Sequence, residues 1–385
     1  MSWIKILFLN VLVFSVFWLL TELAYHAFRP TAQHCYHKWV EYGYCPNIEF
    51  SRKNNQEDGG GLINIRTDAI GGRIGSLSQS TKDTAQLIFI GDSFIQADEV
   101  NYDETIYGNL NKHSKEIAYG LGYSSWNPLQ YRDAIRKIGR KNVHYFIFLM
   151  LNDINPNYER SVFFEKKTPK KSELRKTISG SLTSKTGDLL LNKIPLFFAS
   201  VDSDIQQPPT YTFTPEMKTL FTEQMADNCK PIDQVQNTSY QDKLGFDYLV
   251  YSKNSSCWPP KHRIAYEAFL NVVREIDTEV RVKLKSNVTY VWVSGGWAFK
   301  NQNSIGRMSS PYSIPTDFKI SHKAVVNKFK KDMSWAEVLD TESIIESSLS
   351  ACKIRCIDKY FFPLDGHWTG FTHGLISDFF RERYF

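Results

Sequence analysis

Neither sign of charge dominates this chain, in which 46 basic and 41 acidic residues leave a net +5 over 385 positions. So mild an imbalance builds no phosphate-binding surface, and no RNA- or DNA-recognition motif accompanies it. Nucleic acid is therefore not an expected partner. Internal repeats are missing as well, which argues against a repeat architecture. The six cysteines lack the usual two-residue ligand spacing of zinc sites, which weighs against metal binding and redox catalysis. No metal or cofactor is expected. Nor does a small-x-small cleavage site follow the apolar N-terminal stretch, so a removable leader is the weaker of two readings there.

What the chain does have is apolar and aromatic material, 42% and 14% of its residues, ample for a buried core. The run Leu87-Ile88-Phe89-Ile90 leads directly into Gly91-Asp92-Ser93-Phe94. An apolar run ending in a tight turn reads as a buried strand that lifts a serine hydroxyl to the carboxyl edge of a sheet, where α/β sites form. Taken alone, a serine at that position is more often a helix N-cap than a nucleophile. Near the other end of the chain stands Asp365-Gly366-His367-Trp368, after the turn-like Phe362-Pro363-Leu364. A serine hydroxyl becomes a useful nucleophile when an imidazole takes its proton and a carboxylate fixes that imidazole's tautomer. Asp365 and His367, two residues apart, supply such a pair.

These two segments resemble the first and last blocks of the SGNH (GDSL-type) hydrolases, the second in the Asp-x-His-Trp variant also found in alginate O-acetylation proteins. Two intermediate blocks have counterparts in the family's order. Tyr119-Gly120-Leu121-Gly122-Tyr123-Ser124 is similar to the glycine block, with Gly122 the better match and Gly120 the fallback. Phe146 to Leu151 followed by Asn152-Asp153 is similar to the strand and asparagine of the third. The resemblance implies a three-layer, flavodoxin-like α/β fold with a central parallel sheet. It also implies a Ser93-His367-Asp365 triad, with an oxyanion hole from the backbone amides of Ser93 and Gly122 and the side chain of Asn152. The implied activity is ester hydrolysis on acyl or acetyl esters of an extracytoplasmic glycan or lipid. Polysaccharide O-acetyl transfer through the same triad is the alternative, and it would need a membrane partner to deliver the acyl group. A silent glycan-binding or assembly protein is a third reading, motivated by two departures from the pattern. Gly370-Phe371-Thr372-His373 stands where many relatives carry Pro and then Gly-His, and Gln96-Ala97 stands where a glycine is common.

Residues 1–28 read as a transmembrane signal anchor. Ile6 to Leu20 is apolar except for Asn10 and Ser15, the stretch continues through Ala27 with only Glu22 charged, and Lys5 favours a cytoplasmic N-terminus. The remainder would then face the periplasm or the exterior. Three locally spaced cysteine pairs agree with that compartment: Cys35 with Cys45, Cys229 with Cys257, and Cys352 with Cys356. Their connectivity stays open at this level, as does glycosylation at the sequons of Asn237, Asn254 and Asn287. Residues 29–84 read as a polar, Gly-rich connection carrying the pair Gly72-Arg73, and 85–385 as the hydrolase-like domain. Within it, about 155–260 forms an insertion rich in lysine, after which a helix over His262–Asp277, a strand over Val288–Val293 and a helix near Trp335–Leu339 are predicted.

Overall fold

A computed structural model describes residues 10–21, 33–54, 60–75, 82–113, 117–155, 247–248, 250–299, 321–350, 357–363 and 366–385. The chain divides into two compact units, residues 1–32 with 164–209, and residues 33–163 with 210–385. In the first, residues 10–21 form helix α1, whose Val11, Phe14, Phe17 and Leu20 are each more than half exposed. The rest of the expected anchor lies outside the described residues. Among those described, no helix is long and apolar enough to cross a membrane.

The second unit opens with two antiparallel ribbons where the sequence suggests a connection. β1 (His34–His37) pairs with β2 (Glu41–Tyr44), and β3 (Glu49–Lys53) pairs with β4 (Leu62–Arg66). A disulfide joins Cys35 to Cys45 and closes the first ribbon, as the spacing suggests. Along β4, Ile63 and Ile65 are buried while Leu62 and Asn64 face out, the alternation of a ribbon with one packed face. These strands leave little trace in the sequence because each is short and half polar.

The core alternates strands and helices: β5 (Leu87–Gly91), α2 (Ser93–Gln96), α3 (Ile106–His113), β6 (Ala118–Gly122), α4 (Pro128–Ile138) and β7 (His144–Leu149). After the insertion come α5 (Pro260–Thr278), β8 (Asn287–Trp292), α6 (Lys323–Asp332), β9 (Glu337–Asp340), α7 (Thr341–Leu349), α8 (Ile357–Tyr360) and α9 (Gly370–Tyr384). Strands β5 to β9 form one parallel sheet in the order β6-β5-β7-β8-β9. The near-continuous apolar sequences of β5, β7 and β8 follow from burial on both faces. On one face, Phe380 and Tyr384 of α9 pack against Phe146, and Phe380 also meets Phe89. On the other, Phe269 of α5 and Phe329 of α6 pack against Trp292, with Phe329 also against Tyr290. The result is helix, sheet, helix, as expected for an α/β chain with a central parallel sheet.

One predicted element is corrected. The helix expected near Trp335–Leu339 is instead the edge strand β9, paired with β8 from Thr289↔Glu337 to Trp292↔Asp340. The preceding lysine-rich stretch, expected to lie before a helix, is itself inside α6. There Val325, Val326 and Phe329 turn inward, leaving the lysines on the other side. Four residues are too few to show a period, so pairing with β8 decides the matter.

Candidate active site

From β5 the chain runs first to β6 on one side and then returns to β7 on the other, so β5 lies at the point where the winding reverses. Open α/β sheets form their ligand crevice outside the carboxyl ends of the strands at such a point. Ser93 stands there. Gly122 ends β6 on one side of it, opposite Gly91 in register, and Asn152 follows β7 on the other. Three residues far apart in sequence are thereby placed on three adjacent strand ends.

Gly122 approaches the serine turn so closely that only glycine fits. A Cβ there would lie 2.8 Å from the carbonyl oxygens of Gly91 and Asp92 and from Ile95 Cβ. Asp92 N-caps α2, its carboxylate accepting from the Phe94 N–H at 3.1 Å. Burial pushes the Asp92 carboxyl up, while the Phe94 N–H, the nearby His367 and the Asn152 amide pull the other way. Burial, aided by the neighbouring Asp92, also raises Asp153 well above the carboxylate range. Asp153 accepts from the Met150 N–H at 2.9 Å and from the Tyr131 hydroxyl at 3.0 Å, which fixes the turn carrying Asn152. The asparagine is thus held from both flanks.

The far end of α2 is tied down by Arg73. Its buried guanidinium donates to the carbonyls of Gln96 (3.0 Å), Ala97 and Val100 (3.0 Å), where Ala97 ends the helix in the left-handed conformation at φ 51°. A helix of four residues leaves most of its carbonyls without intrahelical partners, and Arg73 supplies some of them. The sequence marks Gly72-Arg73 but gives no hint of this role, since the carbonyls it serves lie more than twenty residues on.

His367 comes to Ser93 from the opposite end of the chain, its Nε2 2.8 Å from Ser93 Oγ across 274 positions. The loop that carries it is closely fixed. Phe361 bridges to Trp368, the Phe362 N–H donates to the His367 carbonyl at 2.9 Å, and the Gly366 N–H donates to the Phe362 carbonyl at 2.9 Å. Gly366 has φ 76°, a conformation that L side chains seldom adopt. Trp368 is buried and donates its indole N–H to the Ser294 carbonyl beyond the end of β8 at 2.8 Å. Ser294 is held in turn by Thr341, which accepts its N–H at 2.9 Å and donates to the Trp292 carbonyl at 3.0 Å. Phe94 packs on the His367 ring at 4.7 Å and on Trp368 at 5.1 Å. The motif tryptophan is therefore an anchor for the imidazole, a role sequence reading leaves unassigned.

Asp365 lies outside the described residues, as do Cys229, Cys352, Cys356 and Asn237. Cys257 is disulfide-bonded, and no described cysteine is free. Asn254 caps a short turn by accepting from the Ser256 N–H at 3.2 Å. Among the described residues, no cluster of histidine, cysteine or carboxylate side chains has metal-binding geometry. Behind the site, His373 is buried against Trp368, and burial, reinforced by Arg73 and His367, lowers it to about 3, so it is a neutral imidazole near neutral pH. Comparison with known proteins finds no matching family model and no significantly similar curated protein.

Proposed function

We propose that this chain is a serine esterase of the SGNH type, acting on acyl or acetyl esters through Ser93, His367 and Asp365. The observation that carries this reading is the 2.8 Å contact between His367 Nε2 and Ser93 Oγ at the carboxyl edge of β5. With the ring proton on Nδ1, Nε2 is the acceptor that takes the serine proton as Oγ attacks the ester carbonyl. Asp365 would hold that Nδ1 proton. Negative charge passes to the former carbonyl oxygen, beside the Ser93 and Gly122 amides and the Asn152 side chain. Collapse of the intermediate breaks the ester C–O bond, and the departing alkoxide takes the proton from Nε2. Water then attacks the acyl-enzyme, giving one proton to His367, and the released acid leaves Ser93 to recover it.

A sugar hydroxyl in place of water turns the same sequence into O-acyl transfer. For the setting, we propose membrane attachment through residues 1–28, with the catalytic unit outside the cytoplasm. The exposed apolar side chains of α1 and the Cys35–Cys45 disulfide support it. Incubating the full-length, detergent-purified protein with p-nitrophenyl acetate, with and without an oligosaccharide acceptor, tests the reaction. Release of acetate alone supports the esterase, acetylated sugar supports the transferase, and the absence of any turnover that depends on Ser93 removes both.

A further inference from the structure

We propose that Gln96 is a positioning residue for the Gly122 N–H, acting through the loop that follows it; this rests on the esterase reading above. Gln96 is the last residue of α2 and is buried, with 3% of its surface exposed. Its side-chain oxygen accepts the Ser124 N–H at 2.6 Å, linking the nucleophile's helix to a residue two positions beyond Gly122. A buried amide that makes one short bond to an exposed loop is an expensive way to hold a surface turn, and it calls for a reason.

The loop itself needs holding. Ser125 has φ 65°, a left-handed conformation costly for a residue other than glycine, and such strain persists where surrounding contacts over-determine it. Two elements do so from opposite sides. Gln96 grips Ser124, and the disulfide-closed ribbon grips the next two residues: the Tyr42 hydroxyl donates to the Ser125 carbonyl at 3.0 Å, and the Trp126 indole N–H donates to the Tyr42 carbonyl at 2.8 Å. Upstream, Gly122 is pressed against Gly91 and Asp92, so it has no freedom on that side. The backbone from Gly122 to Trp126 is thus held at both ends and at Ser124. An oxyanion donor is useful only when already aimed, and an error of 1 Å costs about 100-fold in rate.

Two variants and two readouts test this. Gln96→Leu removes the acceptor while keeping an apolar stem, and Gln96→Glu keeps an oxygen that accepts from Ser124 in either protonation state. With p-nitrophenyl acetate, Gln96→Leu is expected to lower kcat by roughly 10- to 100-fold with KM little changed, and Gln96→Glu to restore most of it. Amide hydrogen exchange should quicken at 122–125 in Gln96→Leu and stay near wild type in Gln96→Glu. Wild-type kcat in Gln96→Leu, an effect on KM alone, or unaltered exchange at 122–125 would each overturn the proposal. A wild-type protein inert toward esters sinks the esterase reading instead, while the exchange measurement still decides whether Gln96 holds the loop.

Discussion

Adding one methyl group at Gly122 tests the architecture of the site at its tightest point. The alanine Cβ would stand 2.8 Å from two backbone carbonyl oxygens, of Gly91 and Asp92, and from Ile95 Cβ. Comfortable contact begins near 3.5 Å, so the end of β6 must move from the serine turn by about 0.7 Å. None of the three neighbours can swing aside, because two are main chain and the third is fixed to it. Displacement of that size in a reacting site costs about 10- to 100-fold, and complete loss of an oxyanion donor costs about 100- to 1000-fold. Gly122→Ala should therefore lower kcat for p-nitrophenyl acetate by at least tenfold, with about 1–3 kcal/mol of stability lost to overpacking. Gly374→Ala is the matched control. Its methyl meets nothing within 4 Å in α9, so it should stabilise the protein by about 0.5–1 kcal/mol and leave turnover unchanged. Wild-type kcat in Gly122→Ala, with melting showing an intact fold, would refute the assignment of Gly122 as a donor.

Asn152→Ala should reduce kcat by about 100- to 1000-fold with little effect on KM, and an effect on KM alone would mean that Asn152 does not face the developing charge. His373 is buried neutral with its pKa lowered to about 3, whereas in the unfolded chain it takes a proton near pH 6.5. The unfolded state thus binds the extra proton between these values, and stability falls as pH drops through that window. At pH 4 the penalty is about 3 kcal/mol relative to pH 7, and His373→Gln should remove it; urea titrations at the two pH values would show identical slopes with pH if the reading is wrong.

Much of this architecture is legible in the sequence because it is local. Leu87–Gly91 and His144–Leu149 announce themselves as apolar runs, and α4 carries its own signals in Asn127, Pro128 and the terminal Gly139. The serine turn, Gly122, Asn152 and His367 are each visible as short motifs, and the structure brings all four to one edge of the sheet or its immediate neighbourhood. What the sequence hides depends on partners far along the chain. β9 is a strand because β8 offers it an edge, not because Glu337–Asp340 has strand character of its own. Arg73 looks like any surface arginine until its three carbonyl partners are in place, and Trp368 looks like a motif ornament until Ser294 is found beneath it. The first N-terminal ribbon escapes notice for a related reason, since β2 is held by packing on Trp126 and Tyr123 rather than by length.

Activation of Ser93 by His367 is read out by a fluorophosphonate probe, which reacts with a serine only when its hydroxyl is made nucleophilic. Intact-mass measurement of the folded, full-length protein should show one adduct per chain, and peptide mapping should place it on Ser93. The adduct should vanish in Ser93→Ala and form far more slowly in His367→Ala, because a hydroxyl without its base is a poor nucleophile. No adduct on folded wild-type protein, or labelling that persists in Ser93→Ala, would mean that Ser93 is not an activated nucleophile.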